Sequence, residues 1–124
     1  MKKYMLISFL ALTSIFKAQT SKELIGKWQL TEVKHNGKSQ EMQSIFGTDQ
    51  VFQIFKQDNS FEGIVGSKTM KGKWQLTKDN DTQVLEVSDG NNATKFKIEQ
   101  FDAEKRAISL NNNGSILTLY YKKI

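Results

Sequence analysis

The chain has no cysteine and no proline, and it has a single histidine (His35) and a single arginine (Arg106) among 124 residues. Without cysteine there is no disulfide framework, no thiolate nucleophile, no cysteine-ligated metal and no lipid-modified N-terminal cysteine. The fold therefore rests on its apolar core. Without proline, no X–Pro isomer complicates folding. One histidine beside a turn glycine, in His35-Asn36-Gly37, supplies neither a histidine metal cluster nor a histidine-based acid–base pair. No nucleophile has a base at a recognisable spacing, and there is no glycine-rich phosphate loop. The acids Asp58, Asp79, Asp81, Asp89 and Asp102 fall in turn segments, where short carboxylates bond local backbone N–H groups. Asp79-Asn80-Asp81 lacks the glycine and distal glutamate of an EF-hand loop. The expectation is a protein that is not an enzyme, with no cofactor and no metal.

The chain also lacks a long hydrophobic run. Its longest predominantly apolar stretch, Tyr4 to Phe16, has 13 residues, whereas a spanning helix needs roughly 20. Lys2 and Lys3 precede it and the small residue Ala18 follows. Basic, apolar, then small is the order of a secretory signal peptide. Residues 1–18 are read as that peptide and residues 19–124 as one exported domain, periplasmic or secreted, with no membrane span in its mature form. Loss of Lys2, Lys3 and Lys17 leaves 15 basic against 13 acidic side chains, a formal charge of +2. So balanced a charge gives little reason to expect a concentrated basic patch, and no nucleic-acid binding is expected.

From Leu24 onward the apolar residues recur with period two, and turn residues interrupt them at regular intervals. Strands are expected at 27–34, 50–56, 61–65, 70–77, 83–88, 94–101, around Ile108 and Leu110 (just after Arg106), and at 115–122. Asn112-Asn113-Gly114 marks a tight hairpin, because Asn-Gly suits positive φ. Short links favour antiparallel neighbours, and no segment has the length of a crossover helix. Eight strands in a meander leave two open edges unless the sheet closes on itself. The predicted fold is all-β, an eight-stranded antiparallel up-and-down barrel. Its one long link runs from Asn36 to Asp49, with Met42, Ile45 and Phe46 at helical spacing before Gly47. That predicts a short helical turn between the first two strands, lying over one barrel end as a lid or as a plug. Gly26-Lys27-Trp28-Gln29-Leu30-Thr31 recurs as Gly72-Lys73-Trp74-Gln75-Leu76-Thr77. The flanks do not match, so two strands in similar environments explain the echo better than duplication does.

Leu24-Ile25-Gly26-Lys27-Trp28 resembles the opening of a lipocalin-like domain, a family whose first strand carries a Gly-x-Trp motif, here Gly26 and Trp28. The second Gly-x-Trp at Gly72 and Trp74, the eight-strand rhythm and the closing run Ile116 to Ile124 resemble the short lipocalin-like proteins exported by bacteria. The resemblance covers about residues 24–124. It implies that Trp28 packs across the closed barrel end and that Gly26 lets the chain bend into its strand. Larger lipocalins carry an arginine late in the last strand that covers the motif tryptophan through a cation–π contact, and this chain departs from that pattern. Arg106 stands ahead of the seventh strand, and Lys122 and Lys123 are the basic residues in the expected place.

An eight-stranded interior is filled by side chains or holds one small ligand. The candidate interior wall is Trp28, Phe52, Phe61, Trp74 and Phe96, with Met42, Ile45 and Phe46 as lid and with space expected at Gly63 and Gly72. The expected partner is a small hydrophobic or amphipathic molecule. The alternative is a packed barrel whose outer apolar face, read at Val51 and Phe55, meets another protein as an inhibitor or envelope accessory.

Overall fold

A computed structural model describes residues 20–124 of the chain, and the expected signal peptide at 1–18 lies outside them. A four-residue helix α1 (Ser21–Leu24) precedes β1 (Gly26–His35), β2 (Lys38–Gln40) and a second short helix α2 (Met42–Phe46). Seven strands follow: β3 (Val51–Phe55), β4 (Ser60–Val65), β5 (Lys68–Asp79), β6 (Thr82–Ser88), β7 (Ala93–Phe101), β8 (Lys105–Asn112) and β9 (Ser115–Lys123). Neighbours pair antiparallel in the order β2-β1-β3-β4-β5-β6-β7-β8-β9, and β9 returns to β1. The closed barrel thus has eight strands, β1 and β3 to β9, as the strand rhythm predicts. The ninth, β2, is a three-residue addition on the far part of β1, pairing Val33 with Gln40 and His35 with Lys38. It lies inside the long link expected from Asn36 to Asp49, ahead of the helical turn expected there.

Local chemistry explains the corners. Asn36-Gly37 and Asn113-Gly114 both take positive φ, at 50° and 86° and at 56° and 88°. This is the left-handed turn pair whose twist matches the strands it joins. At the N-terminus, the Thr20 hydroxyl accepts from the Glu23 N–H and the Glu23 carboxylate accepts from the Thr20 N–H, a reciprocal cap that starts α1. Gly26 follows with φ 137°, and a Cβ there would come within 2.7 Å of the Lys123 side chain. A glycine is therefore required where the chain turns into β1 beneath β9. Gly72 is required for a different reason. It is the fifth residue of β5 rather than its first, and a Cβ would lie 1.9 Å from the Ser88 carbonyl oxygen. The space expected at Gly72 is filled by the backbone of β6 crossing β5. The space expected at Gly63 is bounded by the Phe61 ring, 3.3 Å from where a Cβ would stand.

The inward faces of the strands make one core of Leu24, Trp28, Leu30, Val33, Val51, Phe55, Phe61, Trp74, Leu85, Val87, Ile108, Leu119 and Tyr121. The inward-facing residues of β1 change parity at an irregularity between Leu30 and Glu32, which explains why Leu30 and Val33 are both buried. β3 presents its side chains with the parity opposite to the expected one. Val51, Gln53 and Phe55 are buried, while Phe52 and Ile54 are half-buried on the outside. Phe52 pairs with Gln29, and the Lys27 ammonium stands 4.7 Å from its ring centre. Phe52 is thus on the outer wall. Val51 and Phe55 are core residues and cannot form an external docking face. The sequence Val-Phe-Gln-Ile-Phe is apolar on both faces, so its alternation fits either parity.

Candidate ligand site

The connections alternate between the two barrel ends. At one end α1 folds against the start of β1, Leu24 is fully buried, and the Trp28 indole N–H donates to the Leu24 carbonyl at 2.8 Å. The Lys123 ammonium donates to the Glu23 carbonyl at 3.0 Å and lies 5.4 Å from the Trp28 ring centre. This end is closed. Trp74 is buried nearby, its indole N–H donating to the Lys56 carbonyl at 3.1 Å. The echoed hexapeptides therefore end in matching tryptophan roles: a buried indole whose N–H caps a backbone carbonyl.

Behind Trp28 sits the sole arginine. Arg106 is the second residue of β8, not a turn residue ahead of it, and it pairs with Tyr121 of β9. Its side chain is 1% exposed. The guanidinium carbon lies 4.9, 5.1 and 4.5 Å from the ring centres of Trp28, Phe55 and Tyr121. Phe55 in turn packs on Phe61 at 5.1 Å and edge-on to Trp74 at 5.7 Å. The role implied for a residue late in the last strand is thus shared by Lys123 of β9 and Arg106 of the strand before it. One hydrogen bond ties the guanidinium down: Nη2 donates to the Gln53 side-chain carbonyl at 2.6 Å. Nε and Nη1 are buried with no hydrogen-bond partner among the described residues. Burial lowers the Arg106 pKa to about 10, partly opposed by Tyr121, and burial pushes the Tyr121 phenol up to about 12.

At the other end, where α2 lies, the barrel keeps a cavity of about 150 Å³. It is lined by Gln53, Phe61, Met70, Val87, Asp89, Asn92, Thr94 and Phe96. Gln53 and Phe61 are buried, and Met70, Asp89 and Asn92 are exposed at the rim. The Asp89 carboxylate accepts the backbone N–H groups of Asn91 and Asn92 at 3.0 and 2.8 Å, and those bonds lower its pKa and keep it ionised. Of the expected wall residues, Phe61 and Phe96 line the cavity. Trp28 and Trp74 belong to the packed core at the closed end, and Phe52 is outside. Of the expected lid, Met42 and Phe46 pack against the core and Ile45 is exposed. None of the three lines the cavity, so α2 covers the core beside the mouth and leaves the mouth open.

Gln53 and Arg106 were not singled out as site residues. A glutamine flanked by four apolar residues in Val51 to Phe55 was the available signal, since a polar side chain on the inner face of a strand needs a partner. Elsewhere, His35 Nε2 lies 2.6 Å from the Ser115 hydroxyl at the surface. Among the described residues no three His, Asp or Glu side chains converge as metal ligands, and no helix is long and apolar enough to cross a membrane.

The family model described as lipocalin-like domain matches residues 24–105, more than half of the chain. No curated protein matches it.

Proposed function

Since this chain belongs to the lipocalin-like domain family, we propose that it is an exported, non-enzymatic binding protein that holds one small apolar or amphipathic molecule in the open end of its barrel. The observation that carries this reading is the cavity above Gln53, walled by Phe61, Val87 and Phe96 and rimmed by polar groups. Apolar walls with a few convergent polar groups are the usual build of a small-molecule site. Its volume of about 150 Å³ sets the scale of the ligand. Drug-sized ligands occupy roughly 300–1,000 Å³, while an apolar cavity of about 150 Å³ takes a benzene-sized molecule. A single ring or a short chain suits this barrel; a fully enclosed long-chain lipid does not. The leader-like segment at 1–18 supports export, and the absence of paired acid and base groups in the sequence supports a binding role over catalysis.

Native mass spectrometry of the protein isolated from its own host's envelope fraction tests the reading. A co-purifying adduct of small mass, lost on mild activation, is the expected result. A clean protein mass that stays unchanged with small apolar probes at millimolar concentration would overturn it.

A further inference from the structure

We propose that Gln53 is the ligand-recognition residue of this cavity, that Arg106 is a positioning residue behind it, and that the ligand carries a carboxylate. This rests on the cavity reading above and adds the chemical class of the ligand.

The orientation of one amide decides what the cavity floor offers. Gln53 is 8% exposed and forms part of the cavity floor. A glutamine amide has a carbonyl acceptor on one side and an NH2 donor on the other. The carbonyl is taken by Arg106 Nη2 at 2.6 Å. Arginine has donors only, so it cannot satisfy the NH2 group, and the pairing fixes which side of the amide is left over. The floor of the cavity therefore presents an N–H donor to whatever enters.

The charge behind that donor sets the preference. Arg106 is fully buried, with its guanidinium over three aromatic rings and hydrogen-bonded to the Gln53 carbonyl. Among the described residues it forms no salt bridge, and its Nε and Nη1 have no hydrogen-bond partner. An uncompensated cation in a low-dielectric core acts strongly on charges placed close to it. It polarises the Gln53 amide so that the NH2 becomes a better donor, and it favours a negative group above the floor. Among the described residues the one carboxylate lining the cavity, Asp89, sits on the exposed rim with its Oδ1 committed to the turn N–H groups. It disfavours an anion at the mouth, where solvent weakens its effect. The two charges together orient the ligand: acid group down on Gln53, apolar part between Phe61, Val87 and Phe96, far end toward Met70.

Three single-ring probes of similar size separate the possibilities: benzoate, benzyl alcohol and benzylamine, titrated into the protein by calorimetry. Benzoate is expected to bind about tenfold more tightly than benzyl alcohol, the gain of a charge-assisted over a neutral hydrogen bond. Benzylamine is expected to bind weakest. Gln53→Glu presents carboxylate oxygens in place of the NH2 and supplies Arg106 with a counter-ion, so the benzoate-to-benzyl alcohol ratio should fall below one. Benzyl alcohol binding as tightly as benzoate to the unmodified protein would overturn the carboxylate assignment while leaving the cavity reading standing. Failure of all three probes to bind would overturn both. The ratio in the unmodified protein decides the question even if the variant folds poorly.

Discussion

Replacing Gln53 with leucine removes the hydrogen bond that holds Arg106 and leaves a guanidinium in the core facing only aromatic rings. Burial already lowers the Arg106 pKa from 12.5 to about 10, which corresponds to about 3 kcal/mol against the charged form. Cation–π contacts offset this, at roughly 0.5–2 kcal/mol each when desolvated. A hydrogen bond to a charged group contributes about 1.5–3 kcal/mol. Gln53→Leu should therefore destabilise the barrel by about 2–3 kcal/mol. The double variant Gln53→Leu with Arg106→Met removes both polar groups at similar volume. Replacement of a buried polar pair by apolar side chains is often neutral or stabilising. The double variant should thus return to within about 1 kcal/mol of the parent, a coupling that two independent sites would not show. Urea unfolding followed by fluorescence of Trp28 and Trp74 measures this, provided the denaturant slope stays constant. A Gln53→Leu variant as stable as the parent, or a double variant no more stable than Gln53→Leu, would refute the reasoning. A stable double variant would also mean that the pair is not needed for folding.

Other perturbations test other parts of the structure. Trp28→Ala removes a fully buried side chain and its bond to the Leu24 carbonyl. It should cost about 4 kcal/mol or more and release α1, read as loss of cooperative thermal unfolding. Gly72→Ala drives a methyl into the Ser88 carbonyl and should cost about 3 kcal/mol. Gly63→Ala meets only the edge of the Phe61 ring and should lower the melting temperature much less. Tyr121 gives a pH dependence of known sign. Its folded pKa of about 12 lies above its ordinary value of 10, so the unfolded chain loses this proton first and stability falls between about pH 10 and 12. Arg106, lowered to about 10, has the opposite slope over the same window. Tyr121→Phe should consequently lose less stability than the parent on going from pH 10 to 12, measured by urea midpoints at each pH.

The barrel was legible in the sequence because its signals are local. Lys95 to Ile98 alternates cleanly, Asn113-Gly114 dictates a hairpin, and Met42 with Phe46 announces a helical turn before Gly47. The capping residues Thr20 and Glu23 also stood in the sequence, although α1 was not read from them. The site was less legible because it depends on pairing between distant strands. Val51 to Phe55 offers apolar residues to both faces, and only its register against Gly26 to Gln29 turns Phe52 outward and Gln53 inward. Arg106 looked like a turn residue beside Glu104 and Lys105. It becomes a core residue because β8 begins at Lys105, one position before it, and sets it opposite Tyr121. No spacing rule links positions 53 and 106, so their contact belongs to the closed barrel alone.

Methyl NMR tests most directly whether the cavity over Gln53 is the ligand site. With selective labelling of Met and Val methyl groups, titration with benzoate should shift the Met70 and Val87 signals together and saturably. Met42 in α2 and Val33 on β1, which do not line the cavity, should stay in place. Saturable shifts confined to Met42 and Val33, or no saturable shift at Met70 and Val87, would contradict the account.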